Sequence, residues 1–89
     1  MPKLTNPMTL EAGTSTVFMH NETGSAVKVR VTCPHFKGND TITIYVGSTT
    51  SSDYRLTRKK KSVDVPVPAG ESLSGEPGAT DERVKWIEI

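Results

Sequence analysis

Disulfides, long apolar runs, charge of one sign and clustered aromatics are all missing from this sequence, and each absence removes a class of protein. The single cysteine, Cys33, cannot close an internal disulfide, so stability has to come from packing or from partners. A lone thiol also agrees with a reducing compartment. No apolar stretch approaches the roughly 18–20 residues of a membrane-spanning helix, and the N-terminal "MPKLTNPMTLEAG" has no apolar core of the signal-peptide kind. The expectation is a protein made in a cytoplasm, with no membrane partner. Lys and Arg total 11 against 10 Asp and Glu, for a formal net charge of +1. That is too small a global field to draw the chain onto nucleic acid or an anionic bilayer. Phe18, Phe36, Tyr45, Tyr54 and Trp86 lie scattered, without the stacking platform that single-stranded nucleic acid needs. No amphipathic helix of useful length is found either.

What remains is 89 residues, one domain near the lower limit of independent folding. Ordering the backbone costs about 1–2 kcal/mol per residue, which leaves little margin for a deep or heavily charged catalytic pocket. Pro2, Pro7 and the "EAGTS" punctuation make residues 1–14 an expected extended N-terminal arm, removable without loss of fold. From Ser15 onward, short β-type runs alternate with turn residues, so residues 15–89 read as one sandwich domain.

The run "TVFMH" (16–20) is followed by "NETG", where Asn21 and Gly24 suit a hairpin turn. The next run alternates strictly: Val27, Val29, Val31 and Cys33 on one side, Lys28, Arg30 and Thr32 on the other. This second run is expected to return antiparallel to the first, and Pro34 ends it. "TITIYV" (41–46), "DYRLTR" and "SVDVPV" continue the pattern, with Pro66 and Pro68 pushing the last toward a sheet edge. "PAGESLSGEPGATDE" reads mostly as loop with a short strand at "ESLS", and "RVKWIEI" (83–89) as a closing strand. There the alternation breaks, with Val84 and Trp86 on one face and Ile87 and Ile89 on the other. A bulge, or cover on both faces, would explain it. The fold expected is all-β, a small antiparallel β-sandwich of jelly-roll or immunoglobulin-like order, with a small barrel still open.

Candidates for chemistry are few. His20, His35 and Cys33 make three soft metal ligands where structural zinc takes four in paired short spacings. Cys33 and His35 lie two apart, but Pro34 intervenes and no third residue orients the histidine. Cys33 reads instead as a small hydrophobe ending its valine face. Asp81, Glu82, Glu71 and Glu76 fall in glycine-rich sequence and read as solvated. Neither a cofactor, a metal nor an enzymatic activity is expected. "RKKK" (58–61) is the one concentrated charge and reads as a solvated hairpin tip, although lysines there could meet phosphates.

The turn residues Asn21, Thr23 and Gly24, a later "PAG" turn at Pro68, Ala69 and Gly70, and the closing "RVKWIEI" together resemble small β-sandwich proteins of tailed-phage virions. One departure stands in "GATDER", where a glycine-aspartate turn often precedes the last strand. The resemblance implies a non-enzymatic structural role in the virion, capsid decoration (cement) on the major capsid protein lattice or a small tail or neck component. It brings no catalytic residues, and a homo-oligomer is compatible with it. Partner contacts are expected from Leu4, Met8 and Leu10 of the arm, from Lys59, Lys60 and Lys61, and from Trp86, Ile87 and Ile89. The alternative is a small binding module for nucleic acid or carbohydrate through the Arg58–Lys61 tip and the loops.

Overall fold

A computed structural model describes residues 6–38, 41–47 and 54–89, and among these there is no helix. Eight strands form: β1 (Met8–Leu10), β2 (Thr16–His20), β3 (Val27–Thr32), β4 (Ile42–Val46), β5 (Tyr54–Leu56), β6 (Ser62–Val67), β7 (Ser72–Pro77) and β8 (Glu82–Glu88). They make two four-stranded sheets, ordered β1-β8-β3-β6 and β2-β7-β4-β5, packed face to face as a β-sandwich. The pairings β1·β8, β2·β7, β3·β6 and β4·β5 are those of one long antiparallel ribbon doubled back and rolled up. This strand order is that of a jelly roll and not of an immunoglobulin sandwich.

The inward faces follow from period-two alternation. Val29, Val31 and Val65 meet Ile42, Ile44 and Leu73 across the interior, all fully buried. At 75, a Cβ would overlap Leu10 Cδ1 and press Phe18 Cε1 at 3.4 Å, so a larger residue requires these core side chains to shift. The short strand expected at "ESLS" is β7, which runs on through Gly75 to Pro77 where loop was expected, a central strand whose glycine admits the core side chains of its neighbours.

Two expectations are corrected here. Residues 8–10 are not a free arm. Met8, Thr9 and Leu10 pair with Val84, Arg83 and Glu82, and Leu10 is wholly buried, a burial worth about 1.5–3 kcal/mol. Asn6 extends the ladder with its side chain, donating to the Trp86 carbonyl (2.8 Å) and accepting from the Trp86 N–H (3.1 Å). Removing residues 1–14 would thus open the sheet. Nor do β2 and β3 form a hairpin, because they belong to different sheets. The chain between them is an arch, and no residue in it has positive φ.

Asn21 shapes that arch. Its amide nitrogen donates to the carbonyls of Ser25 (2.9 Å), Val67 (3.0 Å) and Pro68 (3.1 Å), while its Oδ1 accepts from Thr23 N–H (3.0 Å) and Thr23 Oγ1 (2.6 Å). Its main chain bonds Gly70 and Glu71. The "NETG" and "PAG" turns, far apart in sequence, are one joint at one end of the sandwich. Gly70 sits there at φ +79°, which glycine adopts without strain.

The sheet edges are blunted. β1 and β5 have three residues each, β6 carries Pro66 as expected, and β2 is broken by a register shift between Val17 and Met19. Such devices discourage pairing with a further strand.

Candidate functional site

β8 lies between β1 and β3 and keeps an unshifted register, Val31 opposite Trp86 and Arg30 opposite Ile87. No bulge reconciles its two apolar pairs. Val84 is buried and Trp86 half-buried on the inner side, whereas Arg83, Lys85, Ile87 and Ile89 stand outward. Ile87 is 56% exposed and Ile89 48% exposed, so the outer side of a central strand carries uncovered apolar surface. The Ile89 N–H donates to the Lys28 carbonyl (2.9 Å), which holds the strand end to β3.

Beside this apolar pair, β3 and β6 contribute Lys28, Arg30, Thr32, Ser62 and Asp64. Arg30 grips Asp64 with two parallel bonds, Nε to Oδ1 at 2.9 Å and a second guanidinium nitrogen to Oδ2 at 3.4 Å. The hydrogen bond from Arg30 holds the Asp64 carboxyl below its usual range, and Asp64 in turn raises Arg30. Four cations (Lys28, Arg30, Arg83, Lys85) and this one carboxylate occupy the outer face among the described residues.

Of the residues expected to meet a partner, Ile87 and Ile89 share this surface. Leu10 is sealed in the core and Met8 packs against it half-buried, because β1 turns both inward. Trp86 also faces inward, and its Nε1 is buried with no hydrogen-bond partner among the described residues. Leu4 lies outside the described residues. Lys59, Lys60 and Lys61 are exposed, but on a crossing between the sheets and not a hairpin tip, since β5 and β6 belong to different sheets. That crossing is a tight turn closed by Thr57 N–H to the Lys60 carbonyl (2.9 Å) and Lys60 N–H to Thr57 Oγ1 (3.0 Å).

Two charges read as solvated hold the 34–38 loop instead. Glu82 is fully buried, and its carboxylate accepts from the N–H groups of Lys37 (2.8 Å) and Gly38 (3.1 Å). Arg58 takes the carbonyls of the same two residues, at 2.6 Å for Gly38 and 3.4 Å for Lys37. An anion thus serves the donors and a cation the acceptors of one loop. Glu82 was legible in principle, because extending the inward alternation of Trp86 and Val84 back by two residues lands on it. Arg58 gave no such signal.

Cys33 is fully buried at the end of its valine face, where desolvation and then the nearby Glu82 charge push its thiol up to about 11. It is protonated at neutral pH, the reverse of what activates a nucleophilic cysteine. His35 is exposed on the loop. His20 lies on the other sheet, its Nδ1 2.6 Å from Ser72 Oγ as a cross-strand pair. Comparison with protein-family models, curated proteins and solved structures finds no match to this chain.

Proposed function

We propose that this chain is a non-enzymatic structural protein of a tailed-phage virion, in first place a capsid decoration protein seated on the major capsid protein lattice. A small tail or neck component is the alternative position. The observation that carries the reading is the uncovered Ile87 and Ile89 pair on a central strand. An exposed loop can move its apolar side chains away from water, but here Ile87 is paired with Arg30 of β3 and the Ile89 N–H is tied to the Lys28 carbonyl, so the backbone holds both side chains out. Such fixed apolar surface suits an interface core with a polar rim, here Arg83, Lys85 and Arg30.

The jelly roll supports this reading only by analogy, since lectins and cupins share it with capsid proteins. The turn residues behind the virion resemblance, Asn21, Thr23, Pro68 and Gly70, prove to be parts of one joint. They account for the shared framework and name no ligand. Docking runs through the outer face and not through a detachable arm.

The test is sedimentation of a lysate of the native source on a density gradient, with mass spectrometry of each fraction. Co-sedimentation in fixed stoichiometry with a shell or tail protein is expected, and the double variant Ile87→Asp, Ile89→Asp should leave the particle fraction while melting as the parent does. Wild-type chain found only among small soluble proteins would refute the proposal.

A further inference from the structure

The outer face of β8 has a second region, at the end away from Ile89. There the 34–38 loop rises beside β1 and β8 and encloses a groove of about 440 Å³. Its walls include Pro7, Pro34 and His35, and its charges are Lys37, Arg83 and Lys85. No carboxylate lines it among the described residues, and none of the three cations has a salt bridge there. Glu82, the nearest acid in sequence, faces inward with its oxygens committed to Lys37 and Gly38 N–H.

This cleft is built. The loop that carries Lys37 is fixed from inside by Glu82 and from the side by Arg58. Arg83 and Lys85 stand on a paired strand, two residues apart on one face. Three like charges held around one cleft repel one another in the free protein, and a counter-anion relieves that repulsion. Rigid prolines on two walls lower the ordering cost of binding.

We infer that this groove receives a carboxylate-rich segment of a protein partner. Charge complementarity sets the acidic character. The lining holds no Phe, Tyr or Trp, and the single His35 ring falls short of the row of stacking side chains on which single-stranded nucleic acid binds, which speaks against nucleic acid. The run Arg83, Lys85, Ile87, Ile89 along one side of β8 favours a protein segment too, because acidic and apolar side chains can alternate onto it as one stretch. The inference goes beyond the virion reading, as it names a ligand chemistry whatever assembly the protein joins.

The experiment is an NMR titration of the whole chain with a hexaglutamate peptide at low ionic strength, where screening is weak. Hexaglutamine and octathymidylate serve as comparisons. Saturable shifts at the Lys37, Arg83 and Lys85 amides with hexaglutamate, absent with hexaglutamine, are expected. Arg83→Gln and Lys85→Gln should each weaken binding roughly two- to fivefold, the range of an exposed ion pair. The triple variant Lys59→Gln, Lys60→Gln, Lys61→Gln should bind as the parent does. All these positions are exposed, so their folds should be unchanged, which melting curves would verify. The inference is overturned by no saturable shift, by shifts confined to residues 59–61, or by tighter binding of octathymidylate through the groove. None of these outcomes bears on the gradient sedimentation, so the two proposals stand or fall apart.

Discussion

Replacing Asn21 tests the joint between the two turns directly. The Asn21→Ala variant removes an amide whose nitrogen has two hydrogens for three carbonyls, so at most two bonds are full at once, and an oxygen that accepts two more. Each such bond contributes about 0.5–1.5 kcal/mol net. The exposed partners Thr23 and Ser25 can turn to water, while the Val67 carbonyl, bonded in a buried position, cannot. The loss works out at about 2–3 kcal/mol, or roughly 8–24 °C of melting temperature for a domain of this size. Asn21→Asp is the sharper variant. It keeps both acceptor bonds to Thr23 but sets a carboxylate oxygen against the carbonyls of Val67 and Pro68. It should be at least as damaging as alanine at neutral pH and should recover on acidification, because the folded state favours the protonated acid. Urea denaturation followed by the fluorescence of Trp86, the sole tryptophan, measures both. An aspartate variant as stable as the parent at pH 7, or an alanine variant losing under about 0.5 kcal/mol, would refute the reasoning.

Other outcomes follow from the core and the thiol. Gly75→Ala should cost about 1–3 kcal/mol by overpacking. Combined with Leu10→Ala it should cost less than the two singles together, because the added methyl enters the space vacated; strict additivity in calorimetry would contradict the contact. Cys33 keeps its proton to higher pH when folded than the ordinary thiol value of 9.0 allows. Its contribution to stability is therefore full below pH 9 and lost as pH rises toward about 11. The stability difference between parent and Cys33→Ala should shrink over that window. In Glu82→Gln the thiol should ionise at lower pH, since the Glu82 charge is one cause of its shift, and the Lys37 and Gly38 amides should exchange faster. Unchanged exchange at those two amides would show that Glu82 does not hold the loop.

Much of the architecture was readable from alternation. The valine face of β3, the isoleucines of β4 and the valines of β6 are buried as their period-two spacing dictates, and Pro66 does mark an edge. What alternation cannot show is which sheet a strand joins. Asn21 and Gly24 have the composition of a hairpin turn, yet the bonds that bend the chain there go to Ser25, Val67 and Pro68, and the latter two are more than forty residues away in sequence. β1 was hidden for a similar reason. A three-residue strand is too short for a periodic signal, and its place depends on pairing with β8 at the far end of the chain. The candidate surface was half legible. The conflict between Trp86 and Ile87 pointed to the right strand, but the cationic groove unites β1, β8 and a loop whose proximity no local pattern encodes.

The rolled ribbon also makes one sheet depend on a strand from late in the chain. β8 is made last of the eight strands and yet sits inside its sheet, with β1 on one side and β3 on the other. At about 5–20 residues per second, ribosomal synthesis leaves β1 waiting several seconds for β8, its pairing partner among the described residues. Through that interval the Leu10 side chain has no core to enter, and β1 has no neighbour with which to bond. The sheet ordered β1-β8-β3-β6 is thus incomplete until β8 is available to stand between β1 and β3. A chain stopped short by even the length of β8 would be missing the strand that joins β1 to the rest of its sheet.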